Sequence, residues 1–168
     1  YNPERGSFHD FYYLSTCHGP VGTTILFRKL YDVTGDRQYL EWVDVLTKGI
    51  LKTGAPLIHT PGYWNSYCLC CGAPGVLQHF VKTAEVLGDD SYLKDARDTA
   101  DKLLGDSWND EKGRRWYAAW TRKLPGFVET YTGLYAGAAG AGLSLLSLYA
   151  HDKGISLPTQ TVEYFLLK

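Results

Sequence analysis

Four cysteines are the residues best equipped for chemistry in this chain, and three of them crowd into "YCLCCGAPG" (67–75) as Cys68, Cys70 and Cys71. The fourth, Cys17, stands apart in "TCHGPVG" (16–22). Thiols in such a pattern can form disulfides, act as a redox pair, pack as small apolar groups or hold a metal. Disulfides fit poorly, because neighbouring cysteines cannot staple distant parts of a fold and a vicinal Cys70–Cys71 bridge is strained. The opening "YNPERGSFHD" has no apolar segment after it that reads as a secretory leader, so a reducing, cytoplasmic setting is expected.

Elements that could bring these thiols together are visible as a repeat. Sliding the chain by 53 residues lays Cys17–Leu40 on Cys70–Leu93 with 10 identities in 24 positions and no gap. Among them are Cys17/Cys70, Gly19/Gly72, Gly22/Gly75, Lys29/Lys82, Gly35/Gly88 and Asp36/Asp89. A third copy of the opening, without the cysteine, starts near Ala136 in "YAGAAGAGLSLL", with Gly137 and Gly140 at the glycine positions.

Each copy reads as two helices joined by a turn. Leu77, Phe80, Val81 and Ala84 mark one apolar face, and Leu93, Ala96, Ala100 and Leu103 mark another. Gly88 is placed to end the first helix, and Asp89 or Asp90 to cap the second. Ile25, Leu26 and Leu30, then Leu40, Val43, Leu46 and Ile50, repeat the plan in the first copy. First helices are apolar at their start and second helices are charged, so they predict an inner and an outer layer. Leu143, Leu145, Leu146 and Leu148 predict that the third inner helix is deeply buried. The expected fold is all-α: one domain over residues 1–168, of about three stacked hairpins whose inner helices start at Gly-x-x-Gly turns. Segments 52–67 and 105–133 should be irregular, with "NDEKG" a tight turn between short extended pieces. The tryptophans of the second segment either cover helix ends or line a groove.

The repeat sets Cys17 and Cys70 at equivalent positions of neighbouring hairpins, where Cys17, Cys70 and Cys71 can converge. Three thiolates around one Zn²⁺ leave its fourth tetrahedral position open, as in a catalytic site. A helix N-terminus also favours thiolate over thiol. On pattern alone, zinc binding and plain burial of small side chains both stay open.

"CHGPVG", "CCGAPG" and "YAGAAGAGLSLL", in that order on helical hairpins, resemble the C-terminal part of the lanthionine synthetase C-like proteins, from about Phe11 to the end of the chain. The resemblance implies an α,α-toroid of seven hairpins, of which this chain holds less than half. It also implies zinc at Cys17, Cys70 and Cys71, and addition of a substrate thiol to a dehydroamino acid to form a thioether. A dehydrated peptide or a small thiol is the implied substrate. The family's acid/base histidine and aspartate lie upstream of its first zinc cysteine, where only 16 residues stand here. The chain has no methionine and reads as starting partway through a longer protein, so the missing N-terminal part or another chain is an expected partner.

His18 is then either a local proton donor or a structural helix-terminus residue. His9 and His59 fall in loops from which they could approach the metal; His79 and His151 read as structural or surface residues. Cys68 is expected to be a buried thiol outside the ligand set. Two rivals remain: a helical-repeat binding module without catalysis, and a carbohydrate-active (α/α) barrel using acids such as Asp10, Asp110 and Glu129. With 17 basic and 18 acidic residues and no block of like charge, nothing favours nucleic acid. No apolar run approaches the length of a membrane span.

Overall fold

The structure, a computed structural model, describes residues 13–58, 66–119 and 128–157. Five helices of 15 residues form it: α1 (Pro20–Thr34), α2 (Gln38–Lys52), α3 (Ala73–Leu87), α4 (Ser91–Gly105) and α5 (Ala138–Asp152). Between α4 and α5 lie four short strands: β1 (Trp108–Asp110), β2 (Gly113–Arg115), β3 (Ala118–Ala119) and β4 (Val128–Glu129). They pair antiparallel as β1–β2 and β3–β4. Lys112 N–H donates to Asp110 in the tight turn that "NDEKG" predicts.

The repeat is physical. Gly35 and Gly88 end α1 and α3 in the left-handed region, at φ 71° and 65°, with their N–H groups on Tyr31 O and Ala84 O. Two residues before each second helix, Asp36 Oδ1 accepts from Gln38 N and Asp89 Oδ1 from Ser91 N, both at 2.9 Å. Asp89, not Asp90, therefore supplies the side-chain acceptor. α1 packs on α2, and α3 packs on α4; α3 also lies against α1 and α5, at the centre of the inner layer.

The core follows from that order. Leu77, Phe80, Val81 and Ala84 of α3 meet Leu93, Ala96, Ala100 and Leu103 of α4, all buried. Trp116 is buried too, its indole N–H donating to Leu103 O at 2.7 Å, so this tryptophan covers a helix end. Two hairpins and the inner helix of a third lie within the described residues.

One expectation fails in part. α5 is only partly buried along its leucines: Leu148 is buried as expected, but Leu146 is 47% exposed and Leu143 and Leu145 are half-buried, whereas Ser144 and Ser147 are buried. Leu145 packs against the core, whereas Leu146 and Tyr149 stay exposed. Likewise Leu26 of α1 is 58% exposed, although its repeat equivalent His79 is buried. The sequence marks an apolar stripe, and its neighbours decide whether the stripe is covered.

Candidate metal centre

Three Gly-x-x-Gly turns stand side by side at one end of the inner layer. Their six glycines share one constraint: a Cβ on any of them would lie 1.9–2.4 Å from the carbonyl oxygen six residues back. The chain thus folds tightly over each helix start. Gly19, Gly72 and Gly137 have extended backbones, so close approach, not φ, requires glycine there. The second glycines also admit the neighbouring turn, since a Cβ at Gly75 would meet Thr16 Oγ1 at 2.7 Å and one at Gly140 would meet Leu69 Cβ at 2.8 Å.

Main-chain bonds lock this stacking. Cys17 N donates to Cys70 O at 3.3 Å, and Cys70 N donates to Tyr135 O at 3.2 Å. Cys17, Cys70 and Tyr135 each sit two residues before the first glycine of their turn, so one repeat position is bonded across three copies. Tyr135 is a positioning residue that the repeat could have revealed.

This ladder brings the sulfurs of the first two turns together. Cys17 Sγ lies 3.0 Å from Cys71 Sγ, and Cys71 Sγ lies 3.5 Å from Cys70 Sγ. All three lie within 4.8 Å of one another, and all four cysteines of the chain are free thiols. Tetrahedral thiolate ligands at about 2.3 Å from a metal stand about 3.8 Å apart. The donor set therefore fits such an ion after sub-ångström shifts. Cys17 is exposed and the other two are half-buried, which leaves the group reachable from one side.

Cys68 stands beside this group, not in it. It accepts from Cys71 N at 3.2 Å and lies 3.2 Å from Ser66 Oγ. Hydrogen bonding from the Cys71 thiol, working against partial burial, lowers Cys68 to about 6. The same bond, with burial, pushes Cys71 up. Burial first, then Cys17, pushes Cys70 up to about 11. For Cys17 burial opposes ionisation, but hydrogen bonds from Cys71 and Cys70 outweigh it and the net shift is down. Without a metal the four thiols are thus unequal, and a cation would draw the raised pair into the thiolate form.

His18 is exposed, its ring 5.6 Å from that of Tyr13, and among the described residues no hydrogen bond ties it to a thiol. His79 is structural. It is buried between helices, with Nδ1 3.1 Å from Thr24 Oγ1 and Nε2 2.9 Å from Thr47 Oγ1. Burial, aided by nearby Arg28, lowers it to about 3. His151 Nδ1 lies 3.4 Å from Glu85 Oε1 at the surface. His9, Asp10 and His59 lie outside the described residues. Asp110 is paired with Arg115, and Glu129 accepts from Tyr131, so each serves its own loop.

Fold and site define a class: a helical-hairpin repeat protein with a three-thiol, metal-competent centre at its inner turns. The family model described as lanthionine synthetase C-like protein matches residues 17–156, and the chain belongs to that family. Among curated proteins none matches the chain. No helix among the described residues is long and apolar enough to cross a membrane.

Proposed function

We propose that Cys17, Cys70 and Cys71 hold Zn²⁺ and that the chain serves thioether formation, the addition of a thiol to a dehydroamino acid. Convergence of three sulfurs from two hairpins carries this reading. When bound, zinc supplies a Lewis acid that lowers the pKa of a substrate thiol in its open position. The main-chain ladder from Cys17 through Cys70 to Tyr135 holds the first two turns in register, which supports this reading. Addition at the β-carbon leaves an enolate that needs a proton at the α-carbon, and exposed His18 is the candidate donor. His18→Asn should then slow turnover without changing zinc content, whereas a purely structural His18 would leave turnover unchanged at unchanged stability.

We read residues 1–168 as one domain acting in the cytoplasm on a dehydrated peptide or a small thiol. Its exposed inner-layer faces support association with further hairpins or another chain. Leu26 and Val33 mark one edge, and Leu146 and Tyr149 the other. The function test mixes zinc-loaded chain with a peptide bearing dehydroalanine and cysteine, and reads protection of the thiol from alkylation by mass spectrometry. Zinc-dependent protection, lost in Cys71→Ala, is expected; equal protection without zinc would refute the reading. Sedimentation tests the edges, where association is expected and a monodisperse monomer at all concentrations contradicts it.

A further inference from the structure

Cys68 and Cys71 form a C-x-x-C pair inside one turn, and the three-thiol group leaves Cys68 over. Gly72 N closes that turn on Cys68 O at 2.9 Å, and Cys71 N donates to Cys68 Sγ at 3.2 Å. A closed turn holds residues three apart within about 7 Å at Cα, a separation compatible with a disulfide. In the first copy the equivalent of Cys68 is Ser15, whose Oγ stands 3.7 Å from Cys17 Sγ. The thiol at position 68 is therefore a departure of the second turn from its own repeat. Cys68 is half-buried, so a small molecule can reach it.

We propose that Cys68 and Cys71 are a dithiol site that a small-molecule disulfide oxidises, removing Cys71 from the metal group. The consequence for metal rests on the zinc reading above. With Cys17, Cys70 and Cys71 engaged by the ion, Cys68 is the chain's one remaining thiol. Its thiolate attacks one sulfur of RS–SR, forming a mixed disulfide and releasing RS⁻. Cys71 then attacks the Cys68 sulfur, closing the Cys68–Cys71 bond and releasing the second RS⁻. Cys68 and Cys71 together lose two electrons and one small disulfide is reduced to two thiolates; one takes up the Cys68 proton and, because Cys71 as a metal ligand carries none, the other is protonated from solvent. Bridging between Cys17 and Cys71, whose sulfurs are 3.0 Å apart, would require both to leave the metal first.

The test exposes zinc-loaded full chain to oxidised glutathione, with peptide mapping of disulfides and a chromogenic chelator reading free zinc. Expected is a bridge assigned to Cys68 and Cys71 by fragment sequencing with Cys70 alkylated, zinc appearing in step with it, and release at least about tenfold slower in Cys68→Ser. A stable glutathione adduct on Cys68 with zinc retained, a Cys17–Cys71 bridge, or equal release from Cys68→Ser would each overturn the proposal. Zinc content before oxidation keeps the two readings apart. A chain that binds no zinc refutes the metal reading, while the peptide map still decides the pair: a Cys68–Cys71 bridge supports it and any other refutes it.

Discussion

The turns before α3 and α5 have nearly the same backbone and different chemistry. In both, glycines admit a carbonyl oxygen from six residues back, and both join the ladder through one repeat position. Cys70 and Cys71 stand in the earlier turn where Tyr135 and Ala136 stand in the later one. The glycines build the platform and the residues just before them decide what it carries.

The largest expected effect separates the two turns by metal. Cys70→Ala or Cys71→Ala should take zinc from about one per chain to near none by elemental analysis, and Tyr135→Ala should leave it at about one. Next comes the platform itself. Gly75→Ala forces a Cβ to 2.4 Å from Leu69 O and should destabilise by about 3 kcal/mol in denaturant titration. Gly142→Ala, one turn into α5 with nothing within 4 Å, should instead stabilise by about 0.5–1 kcal/mol. Equal effects at the two glycines would break the distinction between turn and helix.

A smaller effect compares buried positions across the repeat. His79 is held neutral in the fold, with its value lowered to about 3 from an ordinary 6.5. The unfolded chain takes up that proton first as pH falls. Stability from this group is therefore full above about 6.5 and declines towards about 3. His79→Leu, which places there the residue α1 carries at Leu26, should flatten the stability profile between about pH 6.5 and 4.5. An unchanged slope would show that His79 is not buried neutral. Last is the capping pair: Asp36→Ala and Asp89→Ala should each lower the denaturation midpoint slightly and by similar amounts, since both accept at 2.9 Å.

Much of this was legible because the repeat is local. Gly35 and Gly88, Asp36 and Asp89, and the pairing of Cys17 with Cys70 all come from aligning the chain with itself. The repeat also let Cys71 converge with the distant cysteine, and the family resemblance implied a ligand set that leaves Cys68 out. What stayed hidden depends on neighbours. An apolar stripe on α5 says nothing about which side is packed, so Leu146 was expected inside and Ser144 was not. His79 reads as structural or surface from the sequence and is structural, but its partners Thr24 and Thr47 come from two other helices and could not be named in advance. The Cys68 environment escaped because it depends on how the turn folds back, which sets the Cys71 N–H and Ser66 Oγ each 3.2 Å from Cys68 Sγ.

The central claim is that one ion binds where the first two turns meet. X-ray absorption at the zinc edge, on full chain loaded with zinc and freed of excess, reads it directly. The account predicts about one zinc per chain with three sulfur neighbours at about 2.3 Å, falling to background in Cys17→Ala. Zinc bound with fewer than three sulfur neighbours, or retained at full stoichiometry without Cys17, would contradict it.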